Sequence, residues 1–103
     1  MSKQAVKHMV IFCLKHEIGS AEAAQFLKDG RDILSSIPTV ANFQAFNQVS
    51  PKNDYDYGFS MDFADQAAYD FYNEHPKHVD FVENRWLKEV SRFLEIDFQA
   101  AHE

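Results

Sequence analysis

From residue 72 to residue 78 the chain reads Tyr-Asn-Glu-His-Pro-Lys-His, which brings one phenol and two imidazoles together in a short span. A tyrosine hydroxyl can donate a hydrogen bond to a developing oxyanion, and a neutral imidazole can take up a proton near pH 7. Pro76 disfavours helical geometry for His75 and suits the first position of a new helix. One helix therefore ends near His75 and a second starts at Pro76. His78 falls in the first turn of that second helix, where the positive end of the helix dipole disfavours the imidazolium. Tyr72 and His78 are the candidate proton-transfer pair. His75 has the stronger structural claim, because its side chain can satisfy groups left open at the helix end. The competing reading of the pair is that Tyr72 and His78 bond each other or the backbone and lock the helix junction.

The elements that must hold these side chains follow from hydrophobic period. Val6 to Leu14 is short, apolar and β-branched, as a strand requires. Alternation puts Val6, His8, Val10, Phe12 and Leu14 on one face and Lys7, Met9, Ile11 and Cys13 on the other. Ser20 is placed to cap a helix whose apolar stripe runs Ala23, Phe26, Leu27, Gly30, Ile33, Leu34 and Ile37, closed by Pro38. Val40 to Val49 is a weaker strand, polar at Asn42, Gln44 and Gln48 yet carrying Phe43 and Phe46. Ser50 to Asp54 is turn chemistry. In Tyr55 to Phe63, Tyr55, Tyr57, Phe59, Met61 and Phe63 share a face, opposite Gly58, Ser60 and Asp62. Asp65 can cap the helix that carries Ala68, Tyr69 and Tyr72. The segment after Pro76 carries Val79, Phe81, Val82, Trp86 and Leu87. Arg92 to Phe98 closes the chain as a strand with Leu94, Ile96 and Phe98 together.

The order strand, helix, strand, strand, helix pair, strand is the split βαβ pattern of a ferredoxin-like α+β domain. Its helices cover one sheet face. The other would expose large apolar groups from several strands, which marks an interface. A homodimer pairing through the sheet faces is expected. With 103 residues the protein buries only about two-thirds of its unfolded surface, so a partner would matter to its stability. The net charge of −6 argues against nucleic acid and anionic membranes as partners. One cysteine, Cys13, precludes an internal disulfide, fits a reducing compartment and reads as a small core hydrophobe. The longest apolar run, Met9 to Leu14, is too short to span a bilayer, and nothing near it resembles a cleavage site. A cytoplasmic location is expected.

Val6-Lys7-His8-Met9-Val10, Ile37-Pro38-Thr39-Val40, Tyr72-x-x-His75-Pro76-x-His78 and Ile96-Asp97-Phe98 together resemble the stress-responsive dimeric α/β-barrel (Dabb) family over nearly the whole chain. The resemblance implies a ferredoxin-like βαββαβ protomer pairing into a dimeric α/β barrel, with a small cavity between sheet and helices. It does not imply one activity. The family includes plant stress proteins noted for stable assembly and a polyketide cyclase branch, the olivetolic acid cyclase type, that closes an aromatic ring by aldol condensation. In that branch a tyrosine and a histidine matching Tyr72 and His78 are the catalytic pair, and a histidine matching His8 lines the pocket. Haem-degrading and quinol-oxidising monooxygenases use related barrels, but Trp86 reads as helix core and no oxygenase constellation surrounds it.

The expectation is thus a single domain over residues 1–103 with an apolar small-molecule pocket. Tyr72 and His78 would do cyclase-like or isomerase-like acid–base chemistry. His8, Phe12, Phe26, Phe59, His75, Val79 and Phe81 would line the pocket, for a small apolar or aromatic ligand. That chemistry requires no cofactor. A metal site built from His8, His75 and His78 with Asp62 or Asp97 lacks standard ligand spacing, so none is expected. The alternative is a noncatalytic stress-related binding or assembly protein.

Overall fold

Four antiparallel strands, β1 (Val6–Leu14), β2 (Ala41–Asn47), β3 (Tyr57–Phe63) and β4 (Val90–Phe98), form one sheet in the order β2-β3-β1-β4. The computed structural model describes residues 4–102. Helices α1 (Ala21–Leu34), α2 (Gln66–Glu74) and α3 (Pro76–Phe81) lie on one face of the sheet. From α3 the chain continues through a π-helical turn, Val82–Trp86, into a last helical turn, Leu87–Glu89. This is the ferredoxin-like arrangement, with the two central strands contributed by β1 and β3.

Register decides which side chains meet. Val6, His8, Val10 and Phe12 of β1 stand opposite Phe63, Met61, Phe59 and Tyr57 of β3. All eight are buried under the helices. On the other side of β1, His8 stands opposite Asp97, Val10 opposite Glu95 and Phe12 opposite Phe93. The intervening pairs, Lys7 with Phe98, Met9 with Ile96 and Ile11 with Leu94, form the uncovered face. There Leu94, Ile96 and Phe98 are about half exposed, joined by Phe46 of β2. Two irregularities bend the edges: a register shift at Cys13/Leu14 that leaves Ser91 unpaired, and one between Ala41 and Gln44. Asn42, inside the second, has φ 53°, a left-handed conformation that asparagine tolerates.

The predicted caps hold. Ser20 accepts from the Ala23 amide at the start of α1, and Asp65 accepts from the Ala68 amide at the start of α2. The end of α1 differs from the expectation: the helix stops at Leu34, before Pro38 is reached. The hydroxyls of Ser35 and Ser36 turn back onto the carbonyls of Arg31 and Ile33, offering the chain an alternative to continuing the helix. Ile37 remains buried at the junction.

Under α1 the core is aromatic. The Phe12 ring lies 4.9 Å from both Phe59 and Trp86 and 5.9 Å from Phe26. Gly30 is what lets α1 settle onto this layer: a Cβ there would sit 2.8 Å from the Phe59 ring and 3.3 Å from Phe81.

Candidate functional site

Toward β4 the helical layer opens into a cavity of about 220 Å³. That exceeds the roughly 150 Å³ that admits benzene in an engineered apolar cavity. Its walls are mostly apolar, with Val10, Phe59, Met61, Phe81, Trp86 and Phe93 among them, and His8, Tyr72, His78 and Glu95 supply the polar groups.

Each polar side chain is delivered by a definite local structure. Tyr69 and Tyr72 lie one turn apart on α2 and both pack on Phe63, with ring centroids 5.1 Å away in each case. At the junction, His75 is extended (φ −65°, ψ 137°), and Pro76 takes the first position of α3. The His75 Nδ1 accepts from the Lys77 amide at 3.1 Å, so His75 caps α3. The turn is pinned from outside by Lys77 Nζ donating to Ser36 Oγ at 3.0 Å and by Thr39 Oγ1 donating to the Ala68 carbonyl at 2.9 Å.

This junction places the His78 ring 4.5 Å from the Tyr72 ring. His78 Nδ1 lies 3.0 Å from the Asn73 carbonyl. A carbonyl can only accept, so the ring proton is on Nδ1 and the basic lone pair is on Nε2. Among the described residues no protein group bonds that Nε2 or the Tyr72 hydroxyl, yet no buried side-chain nitrogen or oxygen there lacks a partner. Both atoms therefore face open space. Burial holds the His78 pKa below the ordinary imidazole value, with the nearby His8 adding to the effect. Its own backbone bond and the Glu95 carboxylate act in the opposite sense and do not prevail. The neutral form expected from the helix dipole is thus favoured first by desolvation. Burial also pushes the Tyr72 phenol well above its ordinary value, with Tyr69 and Glu95 adding to it, so it remains a hydrogen-bond donor.

His8 is 4% exposed and reaches the cavity from β1. Its Nδ1 is 2.6 Å from Asp97 Oδ1 and 3.1 Å from the Tyr69 hydroxyl. Its ring lies 6.1 Å from that of Tyr72.

Five of the residues expected at the site converge: Tyr72, His78, His8, Phe59 and Phe81 all line the cavity. Phe12 and Phe26 do not reach it; they stand one layer behind, against Phe59 and Phe81, where the β1 pleat and the α1 stripe direct them. His75 caps a helix instead of facing the cavity. Val79 is 41% exposed and lies off the lining. The physical reason is helical phase: His78, Phe81 and Val82 share the inner side, and one residue past His78 the helix has turned outward. Half of the junction-locking reading also holds, since His78 does bond the backbone, while Tyr72 and His78 meet as rings.

Sequence reasoning leaves Glu95 without a role, weighs Asp97 only as an oxygen donor to a metal and reads Tyr69 only as a helix residue. A signal for the first two was present. If Leu94, Ile96 and Phe98 face away from the helices, then Phe93, Glu95 and Asp97 must face them.

Fold and site define a ferredoxin-like α+β protein with a cavity lined by a tyrosine, two histidines and a glutamate among apolar side chains. Residues 6–100 match the family model for the stress responsive A/B barrel domain, and the chain belongs to that Dabb family. A Dabb family protein of ferredoxin-like fold from Mesorhizobium loti is 53% identical, with 93% of this chain and 96% of that chain covered and a TM-score of 0.91. The hydroxynitrile lyase of Passiflora edulis is 12% identical over 99% and 98% of the two chains, with a TM-score of 0.84. A dimeric ferredoxin-like protein from Thermobifida fusca is 14% identical over 95% and 92%, with a TM-score of 0.78. At these low identities the likeness concerns the fold. No curated protein matches the chain.

Proposed function

We propose that the protein is a cofactor-independent acid–base catalyst acting on a small, neutral, largely apolar carbonyl compound. His78 Nε2 removes a proton from the carbon beside the carbonyl, and Tyr72 donates a hydrogen bond to the oxygen as negative charge develops. Cyclase-like and isomerase-like outcomes share this first step. The observation that carries the reading is the state of the pair: a desolvated histidine with its proton fixed on Nδ1, beside an uncommitted phenol, both on one open cavity. The lyase activity of the Passiflora neighbour is that protein's own; it adds only that this fold can house a lyase.

The test is hydrogen–deuterium exchange at the methyl group of acetophenone in D2O, followed by proton NMR. The wild type should accelerate exchange, and both Tyr72→Phe and His78→Ala should lose on the order of 100-fold of that acceleration. Exchange no faster than buffer would reject the reading.

The same proposal includes a homodimer formed through the uncovered sheet face. Leu94, Ile96, Phe98 and Phe46 make an apolar surface there that solvent disfavours, and the Thermobifida neighbour is dimeric. Light scattering of Leu94→Asp against wild type should show the mutant as half the mass. A monomeric wild type at micromolar concentration ends this part. No helix among the described residues is long and apolar enough to cross a membrane. A cytoplasmic location belongs to the same proposal and rests on the one cysteine, which is buried and free.

A further inference from the structure

The cavity contains a second imidazole that the pair above does not use. His8 is buried in the strand layer, and its Nδ1 sits 2.6 Å from the Asp97 carboxylate. An ionised carboxylate can only accept, so Nδ1 carries the proton and the Nε2 lone pair remains. No described residue bonds that Nε2, and no buried side-chain nitrogen there is without a partner, so it too faces open space. Tyr69 closes the other side of the Asp97–His8 contact, its hydroxyl 3.1 Å from the same Nδ1. Burial and the adjacent Asp97 charge raise the Tyr69 pKa, which keeps its hydroxyl a donor beside that carboxylate.

A cross-strand ion pair is the plainer account, since His8 and Asp97 are register partners. It does not account for where the ring points. A strut between strands has no need to turn its free nitrogen into a ligand cavity. The groups facing His8 are Asp97 and Glu95 from β4, Tyr69 and Tyr72 from α2, and His78 from α3.

We propose that Asp97, supported by Tyr69, is a positioning residue that fixes the His8 tautomer and makes His8 a second proton-transfer group facing the same substrate as His78. This rests on the reading of His78 and Tyr72 given above and narrows the reaction to a proton relay. One histidine takes the proton from the carbon next to a carbonyl. The carbonyl becomes an enolate held by Tyr72, and the other histidine, its Nε2 having first taken a proton from water, delivers that proton to the far end of the conjugated system. One carbon–hydrogen bond breaks and one forms, the double bond moves by one position, and no co-reactant is consumed. Exchange with water then restores both rings. The substrate class is a β,γ-unsaturated or otherwise doubly enolisable ketone. Glu95 on the cavity wall disfavours a free carboxylate or phosphate on it.

Two measurements test this. Long-range nitrogen–proton NMR of the histidine rings should show His8 in the wild type with its proton on Nδ1. In Asp97→Asn, whose amide can donate as well as accept, that pattern should change while the His78 signals stay. A wild-type His8 protonated on Nε2, or an Asp97→Asn spectrum with His8 unaltered, would overturn the proposal and leave a strand-tying contact. The second measurement is conversion of cyclohex-3-en-1-one to its conjugated isomer. The wild type should catalyse it, and Asp97→Asn and His8→Gln should lose on the order of 10- to 100-fold of that conversion. Exchange without isomerisation in the wild type overturns the relay and spares the base reading. Absence of both rejects the base reading, and the NMR result then decides the placement of His8 by itself.

Discussion

The helix-facing side of the sheet has two ends built from the same strands and occupied in opposite ways. Under α1, the rings of Phe12, Phe26, Phe59 and Trp86 fill the layer so closely that Gly30 has no room for a methyl group. Toward β4 the layer stays open, and the groups facing the opening are His8, Tyr72, His78 and Glu95. Dense apolar packing supplies stability, and polar groups without protein partners usually subtract from it. A small domain has little margin for the second unless the first is strong. The π-helical turn marks the boundary, with Trp86 packed against Phe12 while Val82 and Leu87 line the cavity.

Truncation should separate the two ends most sharply. Phe12→Ala removes a fully buried ring from the packed end and should cost about 3–5 kcal/mol in chemical denaturation. A loss below about 1 kcal/mol would mean the end is not the stability centre. Gly30→Ala comes next. Alanine favours the helix by about 1 kcal/mol, yet its methyl meets Phe59, so a net loss of roughly 1–2 kcal/mol is expected. A net gain would show that the ring can yield. At the open end, Tyr72→Phe should change stability by less than about 0.5 kcal/mol, because the lost hydroxyl has no protein partner, while proton-transfer activity falls. The smallest effect is a pH dependence. The folded His78 pKa lies below the unfolded value of about 6.5, so the unfolded chain binds the proton more readily. Stability should be complete above that value and decline as pH falls through it toward the folded pKa. The difference between wild type and His78→Gln, followed by thermal melting at equal protein concentration, should show this slope in the wild type alone.

Two faces of one strand explain what could be read in advance. The period-2 pattern of Val6 to Leu14 assigned Phe12 and His8 to one face, and both lie under the helices. The same logic was sound for Leu94, Ile96 and Phe98, and its complement, Glu95 and Asp97, stands on the cavity side. Val79 departs from the expected pocket because consecutive helical residues diverge by about 100°, so it cannot share the inner side with His78.

Local chemistry settled the caps at Ser20 and Asp65, the break at His75-Pro76, the strand faces and the pairing of Tyr72 with His78 across one junction. All of these depend on interactions within a few residues, where the chain's own stereochemistry decides. Tertiary structure alone decided that His8 meets Asp97 and Tyr69, partners 89 and 61 residues away. It alone decided that Phe12 and Phe26 back the wall while Phe59 and Phe81 form it. Those outcomes depend on the register between β1 and β4 and on how far the helices extend over the sheet. Both are fixed by packing between segments far apart in the chain, which no local pattern encodes.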